Sequence, residues 1–368
     1  MKVIMTGGGT GGHIYPAVAI ADKIKKENPD AEILFVGTKH GLEKDLVPKN
    51  GYDIEFITVS GFNRKNLFKN VKTVRDLAKG NHESKLILKK FRPDVVIGTG
   101  GYVCGPIMHE AAKMGIPTYI HEQNAFPGVT NKLLEKSAQK VFIAFPAAAE
   151  HFHHKDKLIV TGNPVRKSFF KADRMQSRRE LGIPEDAFVL MSFGGSQGAG
   201  RINSVMTDVI SEIQEHKDIF TVFVTGKYYN KSVHEQLEER GIALAENVRL
   251  LEYIDNMDKY IAACDLIVSR SGALTVSEIT VCGRAAILVP SPNVTGNHQF
   301  YNAKAVTDAG GAVLIEDKDF TAEILKEHVF ALKNDRKKLA ELEHGSRSAA
   351  PGDAAAAIYA VIYNEVFK

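Results

Sequence analysis

Two glycine-rich loops, Gly7-Gly8-Gly9-Thr10-Gly11-Gly12-His13 and Gly194-Gly195-Ser196-Gln197-Gly198-Ala199, constrain this chain more than any other feature. Each follows a short apolar run, Val3-Ile4-Met5 in the first case and Phe188-Val189-Leu190-Met191 in the second, and each precedes a segment of helical periodicity. Strand, glycine turn and helix start together form a phosphate-sized cradle. Glycine lets backbone N–H groups approach a ligand, and the helix N-terminus adds unpaired donors and partial positive charge. Two such cradles far apart in one chain predict two nucleotide-binding-type halves facing one cleft, and an enzyme with two large substrates.

The rest of the chain alternates in the same way. Strands are predicted at 2–6, 31–36, 54–58, 94–97, 118–121, 140–143 and 158–160, then at 187–192, 220–225, 247–250, 265–268, 285–289 and 312–315, with helical stretches such as 16–27 and 128–136 between them. Short apolar strands alternating with helices imply βαβ units and parallel sheets. A length of 368 residues suits two domains. Turn residues Thr161-Gly162-Asn163-Pro164 mark the hinge, so the expected division is 1–162 and 163–352, with a terminal helix in 353–368 packing back on the first domain. The fold class is α/β, as two Rossmann-like parallel-sheet domains.

Composition excludes several classes. A net charge of +3 is too small to imply a nucleic-acid partner. Cys104, Cys264 and Cys282 form no disulfide framework and no metal-binding pair, which fits a reducing cytosol. The chain opens directly into a strand without a signal-peptide pattern, and no apolar run reaches transmembrane length. One local asymmetry stands out: residues 60–92 carry ten Lys or Arg against Asp76 and Glu83 alone, interleaved with Phe62, Leu67, Phe68, Val71, Val74 and Leu77. Leu67, Val71 and Val74 fit one helical face, and such a stretch suits either packing on its own domain or docking on an anionic membrane.

Gly7, Gly9 and Gly12 satisfy the dinucleotide fingerprint, but the second strand runs into Gly37-Thr38-Lys39 without the acid that would bind a ribose. His13 stands at a helix start, a setting that favours the neutral imidazole a general base needs. The segment Ser269 to Glu278 follows a strand and opens a helix, with Glu278 one turn in, where a carboxylate can accept both hydroxyls of a ribose. Gly296-Asn297-His298-Gln299 and Asn302 follow the next strand, and Asn163-Pro164-Val165-Arg166 puts an arginine at the hinge, within reach of a phosphate. His121-Glu122-Gln123-Asn124 ends a strand as a polar quartet facing the cleft. Two features are set aside: His151, His153 and His154 lack zinc spacing, and Asp317-Lys318-Asp319 reads as a solvated loop.

Taken in order, GGTGGH (8–13), GGYVCGP (100–106), IHEQN (120–124), NPVR (163–166), GGSQGA (194–199), SRSGALTVSE (269–278) and Gln299 with Asn302 resemble the MurG family. The resemblance implies a GT-B fold and an inverting transfer of N-acetylglucosamine from UDP-N-acetylglucosamine to the 4-hydroxyl of N-acetylmuramate in undecaprenyl-linked lipid I. It also implies a peripheral place on the cytoplasmic face of the cell membrane, docked through residues 60–92. Carried over, Thr10, Gly11, Gly12 and Asn124 contact the donor, Arg166 and Ser196 bind diphosphate or sugar, and Ile254 bonds uracil through its backbone. Ala273, Leu274 and Thr275 line the diphosphate, Glu278 holds the ribose, and Gln299 with Asn302 contacts the sugar. His13 is the candidate base. No cofactor and no metal are expected, because helix N-termini and Arg166 balance the leaving diphosphate. A sugar-nucleotide 2-epimerase, which would need a catalytic carboxylate pair, and a non-catalytic binding scaffold are the rival expectations.

Overall fold

The structure, a computed structural model, describes residues 1–61, 70–195 and 197–368, and the side chains of Asn70, Val71 and Thr295 stand outside that description. The chain divides into two compact units, Met1–Val165 with Pro351–Lys368, and Arg166–Ala350. The sequence reading put those crossings at 162/163 and 352/353.

The first unit contains β1 (Lys2–Thr6), α1 (Gly11–Glu27), β2 (Glu32–Gly37), α2 (Glu43–Lys49), β3 (Asp53–Phe56), α3 (Asn70–Phe91), β4 (Val95–Gly98), α4 (Cys104–Lys113), β5 (Thr118–Glu122), α5 (Val129–Leu134), β6 (Lys140–Ile143) and β7 (Leu158–Val160). Its strands pair in the order β3-β2-β1-β4-β5-β6-β7, every pair parallel. Alternate residues of β1 serve opposite faces, as strand geometry requires. Val3 and Met5 pack with Ile14, Ala17 and Ile20 of α1, whereas Ile4 packs with Leu34, Val96, Ile107 and Ile120. A strand covered on both sides reads as a continuous apolar run, which is why β1 was visible in sequence.

The second unit contains α6 (Lys167–Lys171), α7 (Arg174–Leu181), β8 (Phe188–Phe193), α8 (Gly200–Ile213), β9 (Ile219–Val224), α9 (Asn230–Glu239), β10 (Val248–Leu251), α10 (Met257–Ala263), β11 (Leu266–Ser269), α11 (Ala273–Cys282), β12 (Ala285–Leu288), α12 (His298–Asp308), β13 (Ala312–Leu314), α13 (Ala322–Asn334) and α14 (Arg336–Ser348). Its sheet, also parallel, runs β10-β9-β8-β11-β12-β13. The last helix, α15 (Ala354–Val366), belongs to the first unit, where Ile358 and Ile362 join the core around α1. In each sheet the strand order reverses once, beside β1 and β4 and beside β8 and β11. Such switch points open a crevice at the carboxyl ends of the strands.

α3 turns a different face inward from the one expected. Thr73, Gly80, Ser84 and Ile87 are buried, and Val74 is 58% exposed together with Leu86 at 54%. Gly80 is the reason for the close fit, since a Cβ there would stand 2.5 Å from the Thr58 carbonyl oxygen. Residues 62–69, including Phe62, Leu67 and Phe68, lie outside the described residues. No described helix is long and apolar enough to cross a membrane.

The loop after β1 is closed by a carboxylate that the sequence reading did not single out. Glu43, at the start of α2 and 1% exposed, accepts from the Gly9 N–H (3.0 Å), the Thr38 N–H (2.9 Å) and the Thr38 hydroxyl (2.7 Å). The Gly9 amide of the expected phosphate cradle is therefore occupied by the protein itself. Leaving buried donors without an acceptor costs about 1–3 kcal/mol. Glu43→Ala is expected to lower the urea-unfolding stability of the first unit by about that amount; an unchanged unfolding midpoint would show that the loop does not depend on this carboxylate.

Candidate active site

In the first unit the site gathers at the ends of β1, β4 and β5. Thr10, extended at φ −139°, ends the glycine loop and starts α1, and its carbonyl accepts from the N–H groups of His13 (3.1 Å) and Ile14 (3.3 Å). Thr10 and Gly12 are exposed, and the amides of Gly11 and Gly12 lie in the first turn, where a helix has no internal acceptor for them. His13 is half-buried. Its Nδ1 faces two acceptors, the Thr99 carbonyl oxygen at 3.1 Å and Gln123 Oε1 at 2.9 Å. An atom facing only acceptors carries the proton, so the ring is the Nδ1–H tautomer and Nε2 keeps its lone pair. Gly100 backs the ring at φ +106°, and a Cβ at that position would stand 2.9 Å from Nδ1. A side chain there would be strained and would displace the imidazole.

The quartet His121 to Asn124, which ends β5, is mostly interior, in place of the cleft-facing arrangement expected. His121, Glu122 and Gln123 are at most 1% exposed, and only Asn124 reaches partial exposure. Glu122 accepts from the Asn124 N–H (2.9 Å) and Nδ2 (3.2 Å), the Gly128 N–H (2.9 Å) and Asn131 Nδ2 (2.8 Å). It shapes the turn that carries Asn124. Glu43 and Glu122 are thus both committed to loop donors, and neither supplies the free carboxylate pair an epimerase would need. Cys104, buried and pushed up to about 12 mainly by burial, is a neutral thiol packed on the Thr6 and Gly100 carbonyls (3.2 and 3.0 Å).

In the second unit the candidates ring the ends of β8, β10, β11 and β12. Ser196 lies outside the described residues. Ile254 is buried on the loop after β10. Ala273, Leu274 and Thr275 form the first turn of α11 behind Gly272, so their amides head the helix. Glu278 follows one turn on; burial pushes its carboxyl up to about 7, against the pull of the Arg166 guanidinium 4.0 Å away, with Asp258 adding to the rise. Arg166 also stacks on Phe169, its guanidinium 5.1 Å from the ring centre.

The loops are fastened to each other. The Ser271 hydroxyl donates to the Gln299 carbonyl (2.8 Å), and Gln299 Oε1 accepts from the Ser291 N–H (2.9 Å). That engagement fixes which end of the Gln299 amide is the oxygen and which the nitrogen donor. Asn302, expected beside Gln299 at the sugar, is fully buried, and its Nδ2 donates to the Ser271 carbonyl (3.2 Å), which fastens the loop. Asp317 is likewise not solvated, because it pairs with Arg270, which also donates to the carbonyls of Val289 (3.0 Å) and Pro290 (3.2 Å). Sequence showed neither contact, since their partners are brought together only by the sheet. His153 is a loop tie, its Nδ1 3.0 Å from Glu135.

Residues 3–143 match the glycosyltransferase family 28 N-terminal domain and residues 189–358 the family 28 C-terminal domain. The chain is 44% identical over 362 residues to the UDP-N-acetylglucosamine--N-acetylmuramyl-(pentapeptide) pyrophosphoryl-undecaprenol N-acetylglucosamine transferase of Acetivibrio thermocellus, across 98% of this chain and 97% of that protein. It is 42% identical to the protein of the same name from Clostridioides difficile, across 100% and 89%. Among solved structures, MurG of Acinetobacter baumannii matches at a TM-score of 0.77 and 27% identity over 99% of each chain. A putative UDP-N-acetylglucosamine 2-epimerase from Listeria monocytogenes matches at 0.71 and 18% identity, over 99% of this chain and 96% of that one, a likeness of fold alone. With two parallel-sheet domains and full-length identity at this level, the chain belongs to the MurG family of N-acetylglucosaminyltransferases, built on the GT-B fold.

Proposed function

We propose that this protein transfers N-acetylglucosamine from UDP-N-acetylglucosamine to the 4-hydroxyl of N-acetylmuramate in the undecaprenyl-pyrophosphoryl acceptor, with inversion, and that His13 is the base. The family supplies the substrates. The observation that carries the chemistry is the His13 ring, held through Nδ1 and with no hydrogen bond to Nε2 from the described residues. The acceptor hydroxyl gives its proton to Nε2 as its oxygen bonds to the anomeric carbon. The bond from that carbon to the UDP oxygen breaks, and its electron pair leaves with the diphosphate. Arg166 and the first-turn amides of Ala273, Leu274 and Thr275 meet that charge, Ser196 and Gln299 engage diphosphate and sugar, Glu278 takes the ribose hydroxyls, and Ile254 takes the uracil. Thr10, Gly11, Gly12 and Asn124 complete the donor's surroundings. In this reading the first unit receives the acceptor and the second the nucleotide sugar.

The acceptor's lipid calls for a membrane surface. The outward face of α3 presents Val74 and Leu86 among exposed Lys72, Arg75, Lys79, Lys85 and Lys89, which suits an anionic bilayer at about 1 kcal/mol for each basic residue near it. A peripheral position on the cytoplasmic face follows from this reading.

The reaction is checked by following labelled sugar from UDP-N-acetylglucosamine into a lipid acceptor analogue, with and without EDTA. Transfer in both is expected, since Arg166 and helix amides balance the leaving group; transfer lost only with EDTA would restore a metal, and no transfer despite UDP binding would favour a scaffold. His13→Ala is expected to lower kcat by about 100-fold or more with UDP affinity retained, and equal turnover would remove it as base.

Ribose binding to Glu278 requires the carboxylate, whereas in the free protein the group is half-protonated at about pH 7. UDP binding therefore releases a proton, and affinity rises with pH through that value, by up to about tenfold between pH 6 and 8. Calorimetric titration of the protein and of Glu278→Gln isolates this effect from the titration of UDP itself. A pH dependence identical in both would refute ribose capture by Glu278.

A further inference from the structure

The proton positions around His13 can be deduced from its neighbours. The Gly162 carbonyl, an acceptor only, lies 3.0 Å from His121 Nε2, so that nitrogen carries a proton. Burial pushes His121 down to about 4, with the nearby His13 adding to the fall against the Gly162 hydrogen bond, so the ring is neutral and its Nδ1 is an acceptor. Gln123 Nε2 stands 2.9 Å from that Nδ1 and 3.1 Å from the His121 carbonyl, which fixes the amide with nitrogen toward His121. Its Oε1 is thereby turned to His13 Nδ1 at 2.9 Å. The Gln123 main chain is held in turn, since its carbonyl accepts from Asn163 Nδ2 at 3.1 Å.

We propose that His121 and Gln123 are positioning residues for His13: a proton-ordered chain from the Gly162 carbonyl through both side chains, acting with the Thr99 carbonyl, holds the imidazole as its Nδ1–H tautomer and leaves Nε2 as the base. The inference rests on His13 being the base. Neither residue touches a substrate, because both are essentially without solvent exposure. The chain begins at a significant place. Gly162 has φ +81°, and a Cβ there would run into Pro351, where the chain re-enters the first unit. The carbonyl that starts the proton order is set by the packing of the two crossing segments against each other. A wrongly protonated imidazole is a poor base even in correct geometry, which is why a group that orients a catalytic histidine carries large rate effects.

The test reads the tautomer directly. Nitrogen-15 NMR of the histidine-labelled full chain, with His13 assigned among thirteen histidines by its loss in His13→Asn, is recorded above about pH 8. The Nδ1–H form is expected for His13 in the unaltered protein. Gln123→Met, which keeps the bulk and removes the amide, leaves the Thr99 carbonyl at 3.1 Å as the one remaining acceptor of the two at Nδ1, and is expected to raise the share of the Nε2–H form measurably and to lower kcat by about tenfold or more. The KM for UDP-N-acetylglucosamine should stay within about two-fold, because in the proposed function the nucleotide binds the second unit. An Nε2–H ring in the unaltered protein overturns the proposal even if Gln123→Met fails to fold. An unchanged tautomer or unchanged kcat in a folded Gln123→Met overturns it as well. The proposal and the base assignment fail separately: full turnover in His13→Ala removes the base and leaves the tautomer result standing.

Discussion

Main-chain N–H groups in the turns beyond a parallel sheet must find acceptors, and in the first unit two buried carboxylates meet that demand. Glu43 takes the main-chain donors of Gly9 and Thr38, and Glu122 takes those of Asn124 and Gly128 together with the Asn131 side-chain amide. A charged acceptor forms the stronger class of hydrogen bond, and several donors on one carboxylate offset the cost of burying it. Each turn is thereby held in one shape. The position of His13 follows from the first, because the same loop leads into the helix that carries it, and the position of Asn124 follows from the second.

The two glycine loops look equivalent in sequence and are used differently. In the first, the protein's own Glu43 fills the amide that a phosphate would have sought, and the donors left facing outward are those of the helix start at Gly11 and Gly12. In the second unit, no carboxylate among the described residues is bonded to the glycine loop, and the loops after β11 and β12 are fastened by neutral groups and by Arg270 with Asp317. A loop sealed by a negative charge suits a proton acceptor beside it. The contrast is electrostatic and invisible in the glycine pattern.

Much of the architecture was legible. Strands such as β2 and β9 lie within a residue of their expected positions, because strands buried on both faces leave continuous apolar runs and the turns after them leave glycine. What escaped was every feature that depends on partners distant in sequence. Glu43 looks like an ordinary acid at a helix start, Asn302 like a ligand contact, Asp317 like a loop acid, and Val74 like a packed residue. Their burial and partners come from tertiary packing: Gly80 against Thr58 turns α3, and Ser271 draws Asn302 inward. His13 was identified by its place after the glycines, but the acceptors that face its Nδ1, the Thr99 carbonyl and Gln123, lie 86 and 110 residues away.

The Arg166–Glu278 pair shows how the second unit stays ready for a ligand. At 4.0 Å, with the arginine side chain 48% exposed, the pair is a weak one. It also leaves Glu278 hard to ionise, since the guanidinium only partly offsets the desolvation that raises it. A nucleotide sugar offers each partner something better. In the proposed function the diphosphate would present Arg166 with two acceptors in the fork geometry a guanidinium prefers, and ribose hydroxyls would donate to Glu278. Tight pairing would have made the ligand break a strong bond before forming its own. Without any pairing, a buried carboxylate would stay protonated and a poor acceptor. A loose pair sits between these limits, and in the proposed function the binding of one nucleotide would satisfy both groups at once.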